Sequence, residues 1–491
     1  MIFSTPRNNS ALPGATDAML GMSLRYEKKR RIVVAFVYAI FLLWILEGIL
    51  RKWIFPAESR LLYFIRDPFV IALYLYAVST GLWPRRYVIL NAALVLAVSV
   101  LALAGIQLFT GYGIESAISP VIFALYGWRN FFLYIPLAFI IGEHFRAQDM
   151  AKFQNSTILL GILSSVLVYM QFHAPINSAI NVGSSDDVAL QFIGLGLDET
   201  HTRPMGAFTS VTGQSTFVSL LSAFSIISLA GITGTRGMTR DRVIGMFGLI
   251  GTLGCVAYSG SRGELLSLSV ALLISIFLIV FYGTKENRNR IVKISVVALV
   301  IGMGLGLTWF RAGIEALIQR WTSAYSTESQ IFSGGIFGRS LYGFIDFGRL
   351  VFETPLTGLG LGSAGNASTL LGATYHNVVP LAIAETEWSR HIFEVGPIAG
   401  IILIVFRVTV FVWLLKKVIA SPTIAATILF GTVALTELYG SIATHGSANV
   451  FGWLTVGFCL AAVRTGTPEQ SKLIDANAPR KFQNVLGVSP Q

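Results

Sequence analysis

The sequence predicts an all-α polytopic membrane protein of about twelve transmembrane helices, with a large extracytoplasmic loop containing short helices. Three observations predict it. The chain is 54% hydrophobic and only 12% charged, with mean hydropathy +0.68, where soluble domains carry about 25% charged residues. Apolar runs long enough to cross a bilayer recur along its length. Basic residues then gather in alternate junctions between those runs, the pattern that the positive-inside rule requires.

Residues 1–31 are polar and carry Arg25, Lys28, Lys29, Arg30 and Arg31, which predicts a cytoplasmic amino-terminal tail. The apolar run after them leads to Glu47 rather than to a small-residue cleavage site, so it reads as a span and not as a cleaved signal. Nine spans fill 32–309, near 32–50, 68–83, 87–109, 119–142, 155–172, 208–232, 243–259, 264–283 and 292–309. Three more, near 391–415, 421–441 and 447–464, fill 391–464, and residues 465–491 form a polar cytoplasmic tail. With the amino terminus inside, Arg85-Arg86, Arg146/Lys152, Arg236/Arg240/Arg242, Lys285/Arg288/Arg290/Lys293 and Lys416-Lys417 all become cytoplasmic. The long polar intervals 173–207 and 310–390 then face outward, and both termini lie in the cytoplasm.

Other classes fit poorly. The net charge of +11 is spread over span junctions rather than gathered in one patch, which argues against nucleic-acid binding. Cys255 and Cys459 both sit in apolar stretches as packing residues. His376 has no second histidine or cysteine at ligand spacing, so no metal site is expected. No inverted-repeat pair of the transporter kind is visible in the sequence.

The interval 310–390 is too long to be a simple connection and too aromatic to be a disordered one, so it is expected to carry the site. It holds Arg320, Arg339 and Arg349, positive charges on a face where topology has no use for them. Arg339 and Arg349, if helical, stand about 80° apart around the axis and can share a cavity wall. Gly358, Gly360 and Gly362 suggest a phosphate-cradling loop, but no strand or P-loop lysine accompanies them. Glu387, Arg390, His391 and Glu394 share one helical face leading into the tenth span, either solvated or paired. Elsewhere, Arg262 stands in the short outer turn Ser259–Glu264, where a guanidinium can fork onto two phosphate oxygens. Arg129 lies inside a span, at a cost of about 2.5–3.5 kcal/mol unless it meets an acid or a polar cavity. Arg203 precedes the sixth span. Glu47, Arg51 and Lys52, with Arg66-Asp67-Pro68, either pin the first two spans by ion pairing or present Arg51 or Lys52 to a phosphate.

These residues resemble the bacterial O-antigen ligase and polysaccharide polymerase superfamily. The likeness lies in Ser261-Arg262-Gly263, in Arg339 ahead of the Glu353-x-Pro355-Leu356-x-Gly358-x-Gly360-x-Gly362 run, in His376-Asn377, and in Gly396-x-x-x-Gly400. The Glu47-to-Trp53 and Arg66-Asp67-Pro68 elements, with Glu387-Trp388-x-Arg390, are similar to a poorly annotated subgroup. The resemblance implies a GT-C-like membrane glycosyltransferase of the bacterial inner membrane, inverting and without metal or cofactor. It would polymerise or transfer a polyprenyl-diphosphate-linked glycan at the outer leaflet, in exopolysaccharide or O-antigen biosynthesis. The acceptor would be a lipid-linked glycan, lipid A core or a protein, and the enzyme would work among membrane lipids in an envelope-polysaccharide assembly complex. Arg262 and Arg339 would grip the diphosphate and stabilise its charge as it leaves, with Arg349, Arg390, Arg203 and Arg129 as further diphosphate ligands. His376 would position or deprotonate the acceptor hydroxyl. Residues 381–390 separate His376 from the glycine element more widely than in typical ligases, which makes Glu387 or Glu385 a rival base. The competing class is a secondary transporter or flippase for an anionic or lipid-linked substrate.

Overall fold

A computed structural model of the chain describes residues 13–110, 115–116, 119–183, 194–195, 201–231, 238–331, 338, 345, 347–364, 373–374, 386–438, 440, 442–443 and 445–466. Among them, eleven helical segments are long and apolar enough to cross a membrane, and a twelfth apolar helix is shorter. The chain is an all-α multi-pass membrane protein. Arg339, His376 and Glu385 lie outside the described residues.

Helix α1 (Pro13–Ile49) begins well before its span, so part of the expected tail is helical. Arg30 is the reason that a cation can ride on its buried face. The guanidinium meets Glu27 at 2.9 Å, the carboxylate of Asp149, and the His144 carbonyl at 3.0 Å. At its far end α1 widens into a π-turn, Leu50–Ile54, which buries Arg51 and Lys52.

Helices α2 (Asp67–Ser79) and α3 (Val88–Thr110) follow. A second π-turn, Arg129–Leu133, joins α4 (Pro120–Trp128) to α5 (Ile135–His144), and α6 spans Ala147–His173. Next come α7 (Val211–Leu229), α8 (Met238–Ser259), α9 (Arg262–Tyr282) and α10 (Lys285–Leu307). The interval after them holds α11 (Arg311–Ile331), far longer than the short helices expected, and α12 (Phe347–Glu353). Helix α13 (Glu387–Ala420) starts four residues before the expected span, so Glu387 and Arg390 belong to that helix and not to the loop. Helices α14 (Ile424–Leu438) and α15 (Gly446–Thr465) close the bundle. Two short ladders join connecting segments: β1 (Glu115–Ser116) with β4 (Ala373–Thr374), and β2 (Gly194–Leu195) with β3 (His201–Thr202).

The centre of the bundle is α15 with the α4–α5 segment, each 89% buried over its apolar window, while α10 is 11% buried. Phe153 of α6 locks this centre, with its ring 4.4 Å from Phe41 of α1 and 4.5 Å from Phe458 of α15. Such aromatic pairs add about 0.5–1.5 kcal/mol each beyond area burial. The peripheral α10 shows Leu299, Val300 and Leu307 outward, which suits acyl chains. In the first third of α13, Gly396 takes φ 81° ahead of Pro397, and a kink results. The glycine-rich run lies in that kink, with the Leu359 N–H donating to the Phe393 carbonyl at 2.8 Å.

Candidate functional site

One end of the bundle holds a cavity of about 540 Å³. The sequence builds it from three helix starts and two helix ends. The first turns of α7, α9 and α15 line it, as do the last turns of α14 and the end of α1. Ser210 and Ser261 make two of those starts. Each hydroxyl caps its helix by accepting from a backbone N–H three residues on, Gly213 at 3.1 Å and Glu264 at 3.3 Å. Three helix amino ends around one space favour an anion in it.

The wall is rich in hydroxyls. Eleven of the twenty-five lining residues are serine or threonine, a composition suited to a ligand with many hydroxyls of its own. Thr212, Ser215, Thr216 and Ser219 form one stripe of α7 at i, i+3, i+4 and i+7.

Three arginines gather at this cavity. Arg203 lines it, Arg262 sits between lining residues Ser261 and Gly263, and Arg320 of α11 lies close enough to both to act on their charge. Burial, and then the charges of Arg320 and Arg262, hold the Arg203 guanidinium down to about 10, with Glu264 acting against them. Arg320 is pushed down in turn by burial and by Arg262. The Arg203 Nε is buried with no hydrogen-bond partner. Like charges brought together in a half-buried space repel one another unless an anion joins them.

His445 caps the wall at the start of α15, and burial followed by the charge of Arg390 pushes its imidazole down to about 4. It is therefore neutral at physiological pH. Glu264 lines the same space and is 2% exposed, with Oε2 accepting from the Ser215 hydroxyl at 2.9 Å.

The other expected residues divide into groups. Arg129 does not line the cavity. It is buried and forks onto Asp67 at 2.8 and 3.0 Å, and Tyr134 adds a third bond to the same carboxylate at 2.7 Å. Glu47 lines the cavity and holds Arg51 at 3.1 Å and Arg66 at 2.9 Å, so the first two spans are pinned by ion pairs. Lys52 donates to the Gly206 carbonyl at 2.6 Å. Arg349 is exposed on α12 and meets Glu353 at 3.6 Å.

Arg390 and Glu387 belong to a buried network beside the cavity rather than to its wall. Arg390 donates to Glu394 at 2.8 Å. Glu387 accepts from the Ala443 N–H at 2.6 Å and faces Arg407 at 3.3 Å. Arg407 also donates to the carbonyls of Thr436 and Gly440, both on the cavity rim. The face Glu387–Arg390–His391–Glu394 is thus buried rather than solvated, with its two acids and Arg390 paired and both ring nitrogens of His391 left without a hydrogen-bond partner.

The glycine-rich run cradles an anion from within the chain. Glu394 accepts from the Gly362 N–H at 2.9 Å and from the Ala364 N–H at 3.0 Å, while Gln107 takes the Leu361 N–H at 3.0 Å. Among the described residues no three His, Cys, Asp or Glu side chains are grouped as a metal site needs.

Reading by sequence missed Glu264, His445 and the hydroxyl wall. Glu264 looked like the acid of a turn, and His445 had no motif around it. The α7 stripe was visible as polar residues at helical spacing inside an apolar span. No protein-family model and no curated protein matches the chain.

Proposed function

We propose that the protein is a membrane glycosyltransferase that polymerises or transfers a glycan carried on a polyprenyl diphosphate. The observation that carries the reading is a hydroxyl-lined cavity ringed by three helix amino ends and lined by Arg203, with Arg262 and Arg320 close enough to act on that guanidinium. A diphosphate supplies negative charge to this cluster, and the sugar supplies partners for the serines and threonines. The guanidiniums hold the leaving group, and charge developing on it as the glycosidic bond breaks is stabilised where it forms. The fold is read as GT-C-like. The cavity faces the outer leaflet of a bacterial inner membrane, with both chain termini in the cytoplasm. Arg339 and His376, expected in the same site, keep their proposed roles as diphosphate ligand and acceptor-binding residue.

The test uses membranes containing the full chain and lipid-linked glycans extracted from the source organism. Arg203→Ala and Arg262→Ala variants, expressed at wild-type level, are expected to lose glycosidic-bond formation by about 10²-fold or more. Unchanged product from both variants refutes the reading. Counterflow of the lipid-linked glycan in proteoliposomes with no new glycosidic bond favours the carrier reading instead.

A further inference from the structure

Ser261-x-x-Glu264 has the spacing of a capping box, in which the acid reaches back to the N–H of the capping residue. That structural role is taken by another group. The Ser261 N–H donates to the Ser259 hydroxyl at 3.0 Å. Glu264 is left to point elsewhere, and it lines the cavity. Its Oε2 is held by Ser215 at 2.9 Å, while Oε1 has no hydrogen-bond partner although the residue is 2% exposed. The nearby Ser259 hydroxyl gives its own hydrogen to the Val256 carbonyl at 3.1 Å. A buried carboxylate oxygen left unmatched is costly to keep, and Glu264 stands in the wall of the space that Arg203 also lines.

We propose that Glu264 is the general base of the transfer reaction, accepting the proton of the acceptor hydroxyl on Oε1. The inference rests on the glycosyltransferase reading and names a catalytic residue for it. In the step, the acceptor oxygen forms a bond to the anomeric carbon of the donor sugar. The bond from that carbon to the diphosphate oxygen breaks, and its electron pair leaves with the lipid diphosphate. The hydroxyl proton passes to Glu264 and then to water. Ser215 fixes the carboxylate by its other oxygen, so the carboxylate has one orientation in the wall. Arg203 lies close enough to feel the charge of Glu264, and the Arg203–Arg262–Arg320 cluster holds the leaving group. His445, also on the wall, lies in the field of Arg390.

The test compares two acceptors, because azide attacks a sugar carbon without losing a proton and a hydroxyl does not. Full-length wild type, Glu264→Gln and Glu264→Asp are purified in detergent and given the extracted lipid-linked glycans, with or without sodium azide. Glu264→Gln retains the hydrogen bond from Ser215 and is expected to lose transfer to hydroxyl acceptors by about 10²–10⁴-fold. It is expected to release glycosyl azide at a rate near that of wild type. Glu264→Asp is expected to keep part of the hydroxyl reaction. The proposal is overturned if Glu264→Gln transfers to hydroxyls as wild type does. It is equally overturned if the variant binds donor, by retention of the extracted lipid on the purified protein, yet fails with azide as well. Failure of the wild type itself to form any glycosidic bond refutes the underlying reading instead.

Discussion

A guanidinium placed beside two others is a strained choice unless a ligand answers it, and Arg203 makes that choice with a buried, unpartnered Nε. Replacing it with alanine is expected to weaken binding of inorganic pyrophosphate to the detergent-solubilised protein about 10- to 100-fold. That is the worth of a hydrogen bond to a charged group, roughly 1.5–3 kcal/mol. Titration calorimetry at low and high salt checks it, since screening should weaken wild-type binding more than variant binding. Arg320→Ala should act in the same direction. Arg129→Ala removes a partner of buried Asp67 and should lower thermal stability first, by about 3–5 kcal/mol. His445 gives a pH signature. Its imidazole is held down to about 4 in the folded chain against the usual 6.5, so the unfolded chain binds more protons between those values. Stability therefore falls as pH drops through that window, by at most about 3 kcal/mol. Melting curves between pH 4 and 7 should show a slope that His445→Asn reduces.

Elements set the limits of what could be read in advance. The kink in α13 was foreshadowed by Gly396-Pro397, but its purpose lies in a partner far along the chain. A Cβ on Gly396 would stand 2.1 Å from the Leu356 carbonyl oxygen, at a positive φ that side chains resist. Gly396→Ala should therefore lower the melting temperature by several degrees and loosen the glycine-rich run, read as faster amide exchange at Leu359. Glycines at 358, 360 and 362 looked like a phosphate cradle because backbone N–H groups serve any anion. Sequence spacing carries no sign of which anion arrives, and the one that does is Glu394. The face Glu387–Glu394 was legible as a helical face, yet its pairing depended on Arg407 and on Ala443, the latter 56 residues beyond Glu387. The hydroxyl stripe of α7 was the opposite case. Four polar residues at helical spacing in an apolar span need a polar space to face, and periodicity alone could have named it.

At the scale of the whole molecule, hydropathy and charge made the span count legible, since each apolar run must be long enough to cross and each basic junction has a preferred side. The same rule makes the orientation testable, and the functional reading depends on it. The cavity opens at the end where α1 finishes and α7, α9 and α15 begin. The cluster at Lys285–Lys293 starts α10 after α9 has run its length away from that end. If basic junctions stay inside, Asn177, beside the Trp53–Ala179 contact, faces outward and Arg288 faces the cytoplasm. Both native cysteines are buried, so a single added thiol at either exposed position reports its own side. Asn177→Cys should react with a membrane-impermeant maleimide in intact spheroplasts, and Arg288→Cys only after the membrane is opened. The reverse pattern would turn the arginine-lined cavity toward the cytosol. A diphosphate presented at the outer leaflet could not then reach it, whatever the chemistry of Arg203 and Glu264.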